Sequence, residues 1–192
     1  GRILVDGMDT REMMQADLRA KIGFVPQKAV LFSGSVNENL RYGKEDATED
    51  EIRYAADIAQ ASEFVTQMPE GFDSLIAQGG TNVSGGQMQR LSIARALVRK
   101  PEIYVFDDTF SALDFKTDAQ LRAALKDETR DATVLIVAQR VSTVMDADQI
   151  IVLDEGHVAG IGTHRELMKT CAVYSGIVSS QLSATEIAEQ AA

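Results

Sequence analysis

The sequence predicts an α/β fold: a parallel sheet with helical crossovers, an antiparallel β part and an α-helical subdomain. Three observations predict it. In the second half, short apolar runs alternate with helix-like patterns, as a parallel sheet with crossovers requires. Between about Ser35 and Pro69, capping boxes precede apolar residues at helical spacing. Near the end, Leu153-Asp-Glu-Gly-His-Val158 carries the turn chemistry of a β-hairpin.

The elements follow in order. Arg2–Val5 is an apolar strand closed by the turn pair Asp6-Gly7, and Lys21-Ile-Gly-Phe-Val25 is a second strand, stopped by Pro26. Ser35-Val-Asn-Glu38 and Thr48-Glu-Asp-Glu51 read as capping boxes, the latter ahead of Ile52, Ala55, Ala56 and Ala59. A glycine-rich loop from Gly79 to Gly86 opens a strong helix whose apolar face is Met88, Leu91, Ala94, Leu97 and Val98. After Pro101 come the strand Ile103–Phe106, a helix from about Thr117 to Lys126, and the run Thr133–Val137. That run has no polar alternation and reads as a strand buried on both faces. Ile150–Leu153 is a further strand, and Thr163-His-Arg-Glu166 caps one more helix.

Composition narrows the function classes. The 192 residues hold 19 Lys and Arg against 29 Asp and Glu, a net charge of -10 that opposes a phosphate backbone, so no nucleic-acid partner is expected. The single Cys171 excludes an intramolecular disulfide, and no Cys/His cluster has zinc-site spacing. The apolar runs fall far short of the ~20 residues that span a bilayer. The start, Gly1-Arg-Ile-Leu-Val-Asp-Gly7, has neither an initiator Met nor a secretory pattern, and reads as a chain entered mid-domain.

Several residues are suited to phosphate chemistry. Ser84-Gly85-Gly86-Gln87 stands at a helix start, where unpaired N–H groups and a partial positive charge attract anions and glycines allow close approach. The bland alternative is a glycine turn before a helix. Asp107 ends an apolar strand, the place where open α/β sheets gather ligand and metal groups, and is a candidate Mg²⁺ ligand. A strand-end Asp is also a common turn residue or cap. Asp108 follows directly, and adjacent carboxylates repel unless a cation or a proton network offsets them. Asp114, in Ser111-Ala-Leu-Asp114, reads either as a site residue or as a simple N-cap. Gln27 offers a neutral carbonyl to a metal or water.

Phe24-Val-Pro-Gln27, Val83-Ser-Gly-Gly-Gln-Met-Gln-Arg90, Ile103-Tyr-Val-Phe-Asp-Asp108, Ser111-Ala-Leu-Asp114 and Val137-Ala-Gln-Arg140 occur in this order. Together they resemble the nucleotide-binding domain of an ABC transporter, a P-loop NTPase-like fold, and the likeness extends from Gly1 to about Leu182. The resemblance implies that these are the Q-loop, the SGGQ loop, the Walker B strand, the D-loop and the switch region. It implies ATP and Mg²⁺ as cofactors, with Gln27 and Asp107 on the metal and Asp108 and Gln139 as catalytic positions. Gln27, Ser84, Gly85, Gly86, Gln87 and Asp114 are then the nucleotide-binding residues. The segment Pro26–Leu40 is similar to the exporter branch, including multidrug exporters, in which it meets the membrane domain's cytoplasmic loops.

On this resemblance, residues 1–34 are part of the ATPase core with its antiparallel β part and Q-loop, and 35–82 are the α-helical subdomain. Residues 83–172 complete the core, and 173–192 are a C-terminal helical tail. The resemblance also implies a second nucleotide-binding domain, a membrane-spanning domain upstream in the same polypeptide, and a place at the cytoplasmic face of the cell membrane. Two readings compete: a soluble ABC-type ATPase of translation or DNA repair, and a non-hydrolysing regulatory nucleotide-binding module.

The sequence departs from the family pattern. It contains no Gly-x4-Gly-Lys-[Ser/Thr] loop; Gly43-Lys44 is followed by Glu45 and lacks the earlier glycine. The expectation is truncation, with the Walker A strand and loop lying upstream and the fragment alone inactive. Asp108 stands where the family usually has Glu, one methylene longer, and Gln139 where it usually has a switch His. Ala77-Gln-Gly-Gly80 departs from the usual acidic residue beside an Arg. These changes predict an impaired own site in a heterodimer, with Ser84–Gln87 completing the competent site of a different subunit.

Overall fold

A computed structural model describes residues 1–181 as two compact units, Gly1–Val137 and a second beginning at Ala138. The last part of the expected C-terminal tail, 182–192, lies outside the described residues.

The first unit opens with a hairpin of β1 (Leu4–Val5) and β2 (Met8–Asp9). Asp6 and Gly7 both take positive φ between them, the left-handed pair that a two-residue hairpin turn requires. Helix α1 (Gln15–Lys21) leads into β3 (Ile22–Val25). β4 (Gly34–Ser35) pairs with β5 (Leu75–Ile76) around the helical segment, which holds α2 (Val36–Arg41), α3 (Glu49–Ile58) and α4 (Ser62–Thr66). Both predicted capping boxes form: Ser35 with Glu38 starts α2, and Thr48 with Glu51 starts α3.

Glu51 links that cap to charge. Its carboxylate accepts from Thr48 N–H at 2.9 Å and from Lys44 Nζ at 2.7 Å. The Lys44 contact first, and the Thr48 backbone second, lower its pKa from 4.5 to about 2. Glu51 therefore binds a proton less readily folded than unfolded, so its contribution to stability is complete above about 4.5 and disappears as pH falls towards about 2. Glu51→Gln is expected to be less stable than the parent at neutral pH and to match it near pH 2, as pH-dependent urea unfolding of the full-length protein would measure.

α5 (Gly85–Val98) leads to β6 (Ile103–Asp107), α6 (Phe115–Glu128) and β7 (Thr133–Val137). β3, β6 and β7 form one parallel sheet with β6 central; Val25 pairs with Phe106, and Phe106 with Ile136. α5 packs on β3 on one side and on α2 and α3 on the other. The expected single apolar face is therefore an underestimate: Gln89, Ser92, Ile93 and Ala96 are buried along with Leu91, Ala94, Leu97 and Val98. A helix enclosed by two layers is buried nearly all round.

β7 corrects the expectation of a doubly buried strand, since Leu135 is 56% and Val137 53% exposed. An apolar run shows that a strand has two apolar faces, and burial further requires covering layers; among the described residues β7 is an edge of its sheet, paired with β6 alone.

The second unit holds α7 (Val141–Val144), β8 (Ile150–Asp154), β9 (His157–Gly162), α8 (His164–Thr170) and α9 (Ala172–Gln181). β8 and β9 form the predicted hairpin about Glu155-Gly156, both with positive φ. Val141, Ile150, Val152, Leu167, Cys171, Tyr174 and Val178 make its core.

Candidate active site

Parallel strands deliver their C-terminal ends to one edge of the sheet, and β3 and β6 bring Gln27 and Asp107-Asp108 there. Gln27 Nε2 donates to Asp108 Oδ2 at 3.0 Å across 81 residues of sequence. Asp108 is fixed at its backbone as well. Its N–H donates to Val137 O at 2.8 Å, and its carbonyl accepts from Ser111 Oγ at 2.8 Å. It sits at φ 43°, ψ 31°, a left-handed conformation that Asp tolerates better than most side chains. Thr109 Oγ1, fully buried, ties the same turn back to Val25 O at 3.2 Å.

Ser84 caps α5 in a reciprocal box: its Oγ accepts from Gln87 N–H at 3.2 Å, and Gln87 Oε1 accepts from Ser84 N–H at 2.9 Å. Ser84 and Gly85 are exposed. A Cβ on Gly85 would meet nothing within 4 Å, whereas one on Gly86 would come within 3.3 Å of Ala112 O. At Gly86, then, the loop and the segment 111–114 come close together. Asp114 caps α6, Oδ1 accepting from Thr117 N–H at 3.0 Å, and that backbone bond holds its carboxyl below the usual range. The N-cap reading of Asp114 is structurally satisfied whatever else the residue does.

Gln139, exposed, belongs to the second unit. Its carbonyl accepts from Gln181 Nε2 at 2.8 Å.

Three supporting residues escaped the sequence reading. Gln89 is 2% exposed and donates through Nε2 to Pro26 O at 3.1 Å, holding the backbone just ahead of Gln27. A glutamine among buried positions of an apolar helix was the available signal. Arg95, mostly buried in α5, donates to Val30 O, Asn39 O and Asn39 Oδ1 at 3.0–3.1 Å. Its guanidinium lies over the rings of Phe32 and Tyr42. Thr109 carried no sequence signal.

The donor set suits a hard cation and phosphates. Gln27 uses its amide nitrogen on the Asp108 carboxylate, which leaves the amide carbonyl as its acceptor, and Asp107 precedes Asp108 at the end of β6. Oxygen donors of this kind suit hard cations, Mg²⁺ and Ca²⁺ alike. The start of α5 supplies N–H groups and the positive end of a fourteen-residue helix.

A parallel sheet that gathers an amide and two carboxylates, with a glycine-opened helix packed on the segment after them, defines an α/β domain of the phosphate-handling class. The chain belongs to the ABC transporter family, whose description matches residues 1–111. It is 50% identical over 189 residues to an uncharacterized ABC transporter ATP-binding protein of Mycobacterium tuberculosis (strain ATCC 25618 / H37Rv), covering 96% of this chain and 32% of that one. A Staphylococcus aureus (strain NCTC 8325 / PS 47) protein, named for multidrug export as an ATP-binding/permease protein, is 41% identical over 181 residues, 94% of this chain and 31% of the relative. A solved bacterial Atm1-family ABC exporter with ATP bound aligns with a TM-score of 0.89 at 37% identity, over 100% of this chain and 32% of that chain. The chain thus spans about a third of the length of the relatives it matches. Among the described residues no helix is long and apolar enough to cross a membrane.

Proposed function

We propose that this chain is the ATP-binding and ATP-hydrolysing domain of an ABC exporter, at the cytoplasmic face of the membrane, where it couples pairing of two such domains to substrate export. The observation that carries this reading is the Gln27–Asp108 hydrogen bond beside Asp107, at the ends of adjacent parallel strands. The expected subdivision into 1–34, 35–82, 83–172 and 173–192 belongs to the same proposal.

In this reading Gln27 and Asp107 would hold Mg²⁺, and Asp108 would orient the attacking water and accept its proton. When bound, MgATP supplies the transferable phosphoryl group and offsets part of its charge. Gln27 steadies the Asp108 carboxylate, while Gln89 fixes the chain that carries Gln27. At the switch position that the resemblance implies, Gln139 would offer an amide hydrogen bond and no titratable proton. The chain's own site is therefore slow. Ser84–Gln87, with Asp114, would face the nucleotide of a different subunit, where the α5 N-terminus would stabilise developing charge. This is the asymmetric pair that the substitutions at 108 and 139 favour.

The exposed apolar side chains Val30, Phe32 and Tyr42 support a docking surface for the membrane domain's cytoplasmic loops. Phe32 and Tyr42 lie with ring centroids 4.6 Å apart and share the Arg95 cation beneath them.

The test is MgATP turnover by the full-length protein with its partner in lipid vesicles. Turnover that requires Mg²⁺ and accompanies vectorial transport supports the proposal. ATP binding without turnover favours the regulatory module, and turnover with no membrane-spanning domain in the assembly favours the soluble ATPase.

A further inference from the structure

Gln181, the last residue of α9, makes two hydrogen bonds with one side-chain amide. Its Nε2 donates to Gln139 O at 2.8 Å, and its Oε1 accepts from Val141 N–H at 2.9 Å. These groups flank residue 140, so the carboxamide acts on the main chain as a peptide unit of a neighbouring strand would. Both bonds form in only one orientation of the amide, which fixes the side chain and the segment together.

The clamp does two jobs. α7 receives no side-chain cap from its own N-cap residue, Arg140; Gln181 supplies one from 40 residues away. It also holds the carbonyl of the residue that stands at the switch position. The base of the clamp is firm: α9 buries Tyr174 and Val178 in the core of the second unit, and Tyr174 Oη lies 2.8 Å from His164 Nδ1.

We propose that Gln181 is a positioning residue for the switch segment, setting the backbone of Gln139 and through it the reach of the Gln139 side chain towards nucleotide. The inference rests on the proposed role of Gln139 at this chain's own ATP site. A peptide-like bracket of two bonds restrains residues 139–141 against sliding or rotating, and a catalytic group displaced by ~1 Å can lose on the order of 10²-fold in rate.

The experiment uses the full-length protein with its partner in membranes, and retention of a photoreactive ATP analogue at this chain in the presence of vanadate. Gln181→Met keeps the length of the side chain and removes both bonds. It is expected to lower retention about tenfold, leave initial analogue binding without vanadate unchanged, and speed exchange of the Val141 amide. Gln139→Ala is expected to lower retention at least as far, and the double variant no further than Gln139→Ala alone, because the two residues act in series. Faster Val141 exchange with unchanged retention in Gln181→Met would overturn the proposal, leaving Gln181 as a helix cap. So would a double variant whose loss is the product of the two single losses. If Gln139→Ala leaves retention unchanged, the switch role beneath the proposal fails instead, an outcome recognised without reference to Gln181.

Discussion

Gly85→Asp is expected to reduce ATP hydrolysis at the partner subunit's site by about 10²–10³-fold, the scale set by losing a preorganised donor for transition-state charge. The domain itself has room for the change: Gly85 is exposed, and a Cβ there meets nothing within 4 Å. Asp in the first turn also favours the helix, because its charge complements the positive end of α5. The substitution therefore separates two roles. It leaves α5 as stable as before and sets a negative charge where a phosphate is meant to approach. Ser84→Ala is less clean, since it removes the α5 cap and costs about 0.5–2 kcal/mol of stability. Site-specific vanadate trapping, alongside the thermal unfolding midpoint, reads both quantities. Parental trapping at the partner's site with Gly85→Asp in place would sink the shared-site geometry.

The double change Asp108→Glu with Gln139→His is expected to raise turnover at this chain's own site, by up to roughly 10²-fold if placement of the carboxylate limits the rate. The glutamate extends the carboxylate by one methylene past the Gln27 amide, and the histidine restores a titratable group near neutral pH. Asp108 occupies a left-handed backbone conformation, which Glu accepts less readily than Asp. Part of the gain is thus spent on strain, and the thermal midpoint is expected to fall slightly. Unchanged trapping at this site in the double variant would mean that neither side chain limits it.

Local signals are legible in the sequence because their physics is local. The Ser35–Glu38 and Thr48–Glu51 boxes each join groups three residues apart, and the turns at Asp6-Gly7 and Glu155-Gly156 need only their own dihedral angles. The candidate site is legible in the sequence only as a set of motifs in order; in the structure Gln27 donates to Asp108 where β3 and β6 end. The connections within it were not legible. Gln27 and Asp108 are 81 residues apart, Gln89 and Pro26 63, and Gln181 and Gln139 42, and no periodicity links such pairs. The exposure of β7 was missed for a related reason, since an apolar pattern cannot say whether a covering layer is present.

α5 gathers three of the connections that matter. Its first turn is the SGGQ loop, Gln89 in its second turn grips Pro26, and Arg95 in its third lies under Phe32 and Tyr42. Fourteen helical residues make a rod about 21 Å long, stiff against bending because it is enclosed on several sides. Any tilt of that rod would carry the glycine loop, the backbone ahead of Gln27 and the outer aromatic pair with it. In mechanical terms the helix is one shaft that carries three arms.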